Sequence, residues 1–181
     1  MAEKTRGFEI CSRYRGKGLK LPQRQTVASA GYDLAAAEDI TVPSIWHLRF
    51  VRIFRLIRNH NFLNETDCRQ ADQALQPTLV PTGVRAYMPE DEVLLIANRS
   101  SNTVKRRLTL PNGIGVIDAD YYDNEQNEGE LFVQLINYGV RDYKIHKGDR
   151  IAQAIFVPYL KSDQDEPPVQ RRQGGFGSSG L

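Results

Sequence analysis

Short apolar runs separated by glycine and proline constrain the fold of this chain more than any other feature. Val93–Ile96, Leu131–Ile136 and Ile151–Val157 are long enough for β-strands and too short for buried helices. Fourteen glycines and nine prolines among 181 residues supply the turns that many short strands need. The sequence therefore predicts an all-β domain with one core, and the unbroken run at Val93–Ile96 predicts a strand buried on both faces.

The segment 44–76 departs from this strand pattern. From Arg49 to Arg58 an arginine recurs at every third position beside aromatic and aliphatic residues, and residues 65–75 are polar and rich in strong helix formers. We interpret 44–76 as a helical insertion, with a pair of helices as the expected arrangement. Its apolar face predicts burial of four side chains, namely Trp46, Phe50, Phe54 and Ile57.

The insertion divides the predicted β domain into residues 1–43 and 77–160. After this domain, residues 161–181 are charged and proline-containing and then rich in glycine, which predicts a flexible C-terminal arm. Three roles remain open for the insertion. It is a helical elaboration packed on the outside of the assembly, a basic amphipathic helix for an acidic partner or a membrane surface, or a docking site for a protein partner.

Charge and cysteine content exclude several classes of function. The net charge is +2, from 24 basic and 22 acidic residues, so nothing in the overall charge demands a nucleic-acid partner. Cys11 and Cys68 are far apart and lack the spacing of metal ligands, which favours free thiols in a reducing compartment. No apolar stretch resembles a signal-peptide core or a membrane span, and we expect a cytoplasmic protein without a membrane partner.

The stretch Gly115–Tyr122 carries the strongest chemical signal. It reads Gly-Val-Ile-Asp-Ala-Asp-Tyr-Tyr and closely follows Asn112. Asp118 and Asp120 are alternate residues, so on a continuous strand their carboxylates would share a face. A β-hairpin that carries an acid, an amide and an aromatic ring can bind a flat polar base beside a reactive phosphate.

Five blocks of this sequence occur in an order that is itself informative. They are Ala30–Leu34, Asn98–Asn102, Asn112–Tyr122, Gly148–Gln153 and Arg171–Gly180. Together, with their spacing, they resemble the motifs of the trimeric deoxyuridine triphosphate nucleotidohydrolases (dUTPases). The resemblance implies a jelly-roll-like all-β domain assembled as a homotrimer. It also implies active sites between subunits, each closed by the C-terminal arm of a neighbour.

The resemblance implies that dUTP is hydrolysed to dUMP and pyrophosphate by attack of water on the α-phosphorus. The family's general base falls on Asp118, and a carboxylate can orient a water molecule and remove its proton. Asn112 falls where the family reads the uracil edge, and a side-chain amide supplies the donor and the acceptor that this edge requires. Gly115 lies in the same block. Tyr121 falls where a tyrosine packs on the sugar and excludes a 2′-hydroxyl.

Contacts to the triphosphate are implied in the remaining blocks. Guanidinium and hydroxyl groups are suitable phosphate donors, which fits Arg99 and Ser100 beside Ser101, and the fourth block adds Gln153. In the arm, an arginine ahead of the glycines contacts the γ-phosphate, a role that either of two adjacent arginines fits, and an aromatic ring covers the base. The implied arm residues are Arg171, Arg172, Gly175, Phe176, Gly177 and Ser178.

A triphosphate substrate also implies Mg²⁺, which the family holds mainly through phosphate oxygens and water. Asp33 resembles the acid of the first block, which contacts this hydrated region or supports a nearby arginine. Two residues depart from the family pattern, since Ser101 and Asp123 stand where glycine is common. The second replacement predicts a change in the turn after the third block.

Two alternatives to a dUTPase are considered. The dCTP deaminases share the fold, but they resemble one another in a strand glutamate whose place is held here by Gln134, and Val104 replaces their arginine beyond the second block. An amide cannot accept the proton that this glutamate takes, which makes a deaminase the weaker alternative. The other alternative is a non-catalytic or moonlighting regulatory protein that binds a partner through residues 44–76.

Overall fold

The computed structural model describes residues 4–46, 54–55, 58, 65–66, 69, 73 and 75–166. Within them, eleven short strands account for most of the regular structure. The strands are β1 (Gly7–Ile10), β2 (Tyr32–Ala35), β3 (Ile40–Val42), β4 (Thr78–Pro81), β5 (Val84–Tyr87), β6 (Glu92–Asn98), β7 (Leu108–Thr109), β8 (Ile114–Ile117), β9 (Phe132–Asn137), β10 (Tyr143–Ile145) and β11 (Arg150–Pro158). Two 3₁₀ helices (Ser12–Tyr14 and Ala119–Tyr121) and one π-helical turn (Asn102–Arg106) complete the bounds.

The strands form small antiparallel sheets around one core. The largest sheet has the order β2-β11-β6-β8, and a three-stranded sheet has the order β4-β9-β7. Two further pairs join β1 to β5 and β10 to β3. Every one of these described strand pairs is antiparallel, so the predicted all-β, jelly-roll-like class is confirmed.

Alternation along each strand decides which side chains enter the core. In β9, Val133 and Leu135 are buried, while Phe132 and Gln134 are only partly covered because they point to the opposite face. The same alternation appears in β6, where Leu94 and Ile96 are buried and the side chains between them are partly exposed. The prediction that this strand is buried on both faces is therefore wrong. An apolar run reports hydrophobicity, whereas burial also requires an element that covers each face.

The insertion is only partly described. Residues 54, 55, 58, 65, 66, 69, 73 and 75 are helical, and the arrangement as two helices stays a prediction. The expected burial of its apolar face is wrong for Trp46 and Phe54, which are 48% and 57% exposed. Trp46 is held at its edge, where its indole N–H donates to the carbonyl of Tyr138 (3.0 Å). Phe50 and Ile57 lie outside the described residues.

A buried arginine connects the strand pair β1–β5 to the loop after Tyr121. The Arg85 guanidinium contacts the carboxylates of Glu9 (3.0 Å), Asp123 (2.6 Å) and Glu128 (3.7 Å) and lies 4.7 Å from the ring centre of Tyr122. A hydrogen bond from the Tyr122 hydroxyl, with further help from cationic neighbours, lowers the pKa of Glu9. One cation therefore balances three acids contributed by two separate segments.

We expect Arg85→Ala to lower the free energy of unfolding by about 1–3 kcal/mol, because it leaves partly buried carboxylates without their cation. Urea denaturation at pH 7 measures this change. Arg6→Ala is the matched control, since it removes another arginine–glutamate pair of the same strand region whose arginine is half exposed. A loss no larger than that of Arg6→Ala would contradict the structural role of Arg85.

Candidate active site

The predicted base, Asp118, lies at the point where β8 ends and the chain turns. Its backbone is extended (φ −77°, ψ 156°), and its carbonyl accepts a hydrogen bond from the amide of Tyr121 (3.1 Å), which closes the 3₁₀ helix Ala119–Tyr121. Asp118 and Asp120 are therefore not alternate residues of one strand, and the prediction of a shared strand face is wrong. Both side chains lie in exposed positions, where a carboxylate can meet a ligand.

A cavity of about 160 Å³ opens beside this turn. It brings together three residues predicted from the sequence to contact the base and sugar, namely Asn112, Gly115 and Tyr121. Gln134, the residue that stands in place of the deaminase glutamate, lines the same cavity. Sequence reasoning missed the apolar part of the lining, which includes Ile96, Leu110, Ile117 and Phe132. For Phe132, the available signal was its position on the face of β9 that alternates with the core residues.

The absence of a side chain at Gly115 lets β8 lie close to β6. A Cβ atom at this position would lie 3.2 Å from the Cβ of Ile96 and 3.7 Å from the side-chain nitrogen of Asn112. The preceding turn is tight, since the amide of Ile114 donates to the Asn112 carbonyl (2.7 Å) and Gly113 has a φ of +68°. A larger residue at Gly115 would therefore push the Asn112 amide away from the cavity.

Glu130 borders the cavity through its backbone. Its carbonyl accepts the hydrogen bond of the Tyr121 hydroxyl (3.1 Å), while its buried carboxylate accepts from the amide of Gly83 (3.2 Å) and lies 3.9 Å from Arg13. Burial raises the pKa of this carboxyl group. The turn that follows Tyr121 is compatible with Asp123, which adopts the left-handed conformation that glycine favours (φ +59°) and pairs with Arg85.

A second cluster of predicted residues surrounds Asp33 on β2. Its buried carboxylate lies 3.1 Å from the Nε of Arg99 and accepts a hydrogen bond from Arg150 (3.1 Å), and Arg99 also donates to the Arg150 carbonyl (3.2 Å). Ser100 and Ser101 follow at the start of a helical turn. Of the two roles left open for Asp33, this geometry supports the orientation of Arg99.

Gln153 lies beside this cluster on the neighbouring strand. It pairs with Asp33 of β2 on one side and with Ala97 of β6 on the other, and directly opposed residues of adjacent strands present their side chains on the same face. A Cβ atom at Gly31 would lie 3.2 Å from the Cβ of Gln153, so this glycine leaves room for the side chain. The three phosphate blocks therefore meet in one place.

The two clusters do not meet within one chain. Ile117 pairs with Leu94 at one end of β6, while Arg99 follows Asn98 at the other end. A strand rises by roughly 3.3 Å per residue, so Asp118 and Arg99 lie roughly 16 Å apart along the strand direction. The residues that carry the base-binding and phosphate-binding predictions are thus at opposite ends of the same hairpin.

Some predictions fall outside the described residues, and others concern features that the structure reports. Arg171, Arg172, Gly175, Phe176, Gly177 and Ser178 all lie beyond residue 166, the last one described. In the described part of the chain no three His, Cys, Asp or Glu side chains are grouped as metal ligands, and no helix has the length and apolar character needed to cross a bilayer. Cys11 is buried, which raises the pKa of its thiol to about 12.

Comparison with known proteins supports a single family. The dUTPase family model matches residues 70–180. The dUTPase of Lactococcus lactis is 38% identical over 180 residues, covering 98% of this chain and 99% of that protein, and the Brucella melitensis enzyme is 35% identical over 171 residues, covering 91% and 87%.

Solved structures agree with the sequence comparison. The dUTPase of Streptococcus mutans superimposes with a TM-score of 0.67 at 36% identity, covering 87% of this chain and 98% of that one. The dUTPase of phage phi11 of Staphylococcus aureus, which coordinates a structural Mg(II) ion, has the same fold at 18% identity and a TM-score of 0.60, covering 91% and 97%. From the family match, the two relatives and the shared architecture, this chain belongs to the dUTPase family.

Proposed function

We propose that this protein hydrolyses dUTP to dUMP and pyrophosphate, with uracil bound in the cavity beside β8. The observation that carries the proposal is the juxtaposition of Asn112, Gly115 and Tyr121 in that cavity, next to the turn that presents Asp118. A base needs both polar and apolar surface, and this lining supplies an amide together with aliphatic and aromatic side chains. The small cavity also suits a pyrimidine without an additional methyl group.

In the proposed reaction, Asp118 activates the attacking water. The carboxylate accepts a proton from water as the water oxygen bonds to the α-phosphorus, and the bond from this phosphorus to the oxygen that bridges to the β-phosphate breaks. Pyrophosphate leaves with the electron pair of that bond, and dUMP remains. The exposed position of Asp118 at the start of a 3₁₀ turn leaves its carboxylate accessible to a substrate phosphate.

The triphosphate is proposed to bind at the cluster of Arg99, Ser100, Ser101 and Gln153. Asp33 fixes the Arg99 guanidinium through an ion pair, so the arginine meets an incoming phosphate in one orientation. Mg²⁺ enters as part of the substrate complex, coordinated by phosphate oxygens and water. The described residues fit this arrangement, because Asp33 is already engaged by two arginines and no cage of acidic side chains accompanies it.

The separation of the two clusters supports the homotrimer predicted from the family motifs. Asp118 and Arg99 of one chain lie at opposite ends of β6, so a single substrate reaches both kinds of residue only where two copies meet. A closed ring of three copies would create three equivalent sites of this kind. Residues 167–181 are proposed to cover each site from a neighbouring copy, with Phe176 over the base and Arg171 or Arg172 on the γ-phosphate.

Pyrophosphate release with Mg²⁺, measured in parallel on dUTP, dCTP, dTTP and UTP, tests the function. We expect release from dUTP alone, and Asp118→Asn to lower turnover by about 10²- to 10⁴-fold, the usual contribution of a general base, with little change in substrate binding. Asp120→Asn is the matched control, because it changes the neighbouring acid of the same turn. Preserved turnover in Asp118→Asn would contradict its role, and release from dCTP would favour a different base specificity.

Asp33→Asn distinguishes the two roles considered for this acid. Loss of the ion pair frees Arg99, so we expect KM for dUTP to rise by about tenfold, the value of one charge-assisted contact, and the rise to persist at any Mg²⁺ concentration. Steady-state kinetics at 1–20 times the ordinary Mg²⁺ concentration, taken as order-of-magnitude bounds, provide the measurement. Restoration of KM by excess Mg²⁺ would instead assign Asp33 to the hydrated ion.

A further inference from the structure

The loop 123–130 folds back tightly onto Tyr121, the aromatic residue of the cavity. Its two ends are tied together by the amide of Asp123, which donates to the Glu128 carbonyl (3.2 Å). Gly129 has a φ of +78°, and a Cβ atom there would lie 2.6 Å from the backbone oxygen of Tyr121. Only a residue without a side chain allows this approach, so the loop lies in direct contact with the tyrosine.

Two asparagines of this loop bind Tyr121 at separate points. The Asn127 side chain donates to the Tyr121 hydroxyl (2.8 Å), and the Asn124 side chain donates to the Tyr121 carbonyl (2.9 Å). The two amides also bind each other, since Asn124 donates to the side-chain oxygen of Asn127 (2.8 Å). That oxygen accepts a further bond from the amide of Gly129 (3.1 Å), which fixes the direction in which the Asn127 amine points.

The Tyr121 hydroxyl is therefore engaged both as an acceptor and as a donor. It accepts from Asn127 and donates to the backbone carbonyl of Glu130 (3.1 Å). With both ends of these bonds anchored in the loop, the ring is held at one depth in the cavity wall. A sugar that lies on this ring gains an additional oxygen only if the ring can retreat.

We propose that Asn127 is a positioning residue that fixes the Tyr121 ring, and that this contact determines how strongly the site prefers a deoxyribose to a ribose. The inference rests on the proposed function, in which Tyr121 packs on the sugar. Asn127 acts through the tyrosine and touches no substrate. Its loss therefore changes the ratio of the rates on the two sugars more than it changes the rate on dUTP.

The test compares kcat/KM for dUTP and UTP in the wild type and in Asn127→Ala. We expect the dUTP-to-UTP ratio to fall by about tenfold, as befits the loss of one buried hydrogen bond, with a smaller change on dUTP itself. Gln126→Ala is the matched control, since it alters an exposed side chain of the same loop whose backbone amide makes the loop contact. This control should keep the wild-type ratio.

Tyr121→Phe provides a second variant in case Asn127→Ala does not fold. It retains the ring and removes both hydroxyl bonds, so it should lower the ratio to a similar extent, and the double variant should lower it no further than the larger single effect. An unchanged ratio in either single variant, or equal loss on both nucleotides, would overturn the inference. Additive effects in the double variant would do so as well.

The outcome for the wild type separates this inference from the proposed function. A wild-type enzyme that prefers dUTP, together with an Asn127→Ala ratio equal to it, overturns only the inference. A wild type that hydrolyses dUTP and UTP equally overturns the inference and leaves the hydrolysis reaction in place. If neither nucleotide is hydrolysed, the proposed function fails, and the ratio of dissociation constants for dUTP and UTP then tests Asn127 in the same set of variants.

Discussion

The pairing of β6 with strands on both of its sides positions every part of the candidate site. Seven residue pairs join it to β11, and four join it to β8. The first ladder places Gln153 beside Asp33 and the start of the helical turn that carries Ser100. The second ladder sets the depth of the cavity through Gly115. A one-residue slip in either ladder would turn the side chains of that strand to the opposite face.

Charged groups hold the ends of these strands. At one end, Asp33 receives two arginines, and at the other, Arg85 receives carboxylates from two separate segments. Both arrangements place a buried charge among several partners, which is costly to disrupt because any partner left behind is only partly hydrated. The consequence is a rigid frame in which a phosphate-binding arginine and a sugar-facing tyrosine keep fixed orientations before substrate arrives.

Much of the strand pattern could be predicted from the sequence, because runs such as Ile151–Val157 carry their apolar character locally. Asn112 and Tyr121 could be placed in one site because the family motif contains both. The turn after Ile117 was missed, since the 3₁₀ geometry depends on a loop that closes over Tyr121. Asn127 was missed for a different reason: an amide in a polar loop has no sequence pattern that distinguishes a structural contact from a solvated side chain.

The insertion shows the limit of amphipathic patterns. An apolar face predicts that something covers it, yet the pattern does not name the cover, and Trp46 and Phe54 remain about half exposed in the described chain. The roles of Asp33 were likewise open in the sequence, because an ion pair between residues distant along the chain depends on the ladder that joins their strands. Contacts set by tertiary structure are therefore the part that sequence reasoning leaves undecided.

The most direct test of the account is complementation between two inactive variants. Asp118→Asn and Arg99→Ala are each purified, shown to assemble, and then unfolded and refolded together in equal amounts. If each site takes Asp118 from one copy and Arg99 from another, random assembly should restore about a quarter of the wild-type dUTP hydrolysis. Mixed assemblies with no more activity than the separate variants would contradict a site shared between copies of this chain.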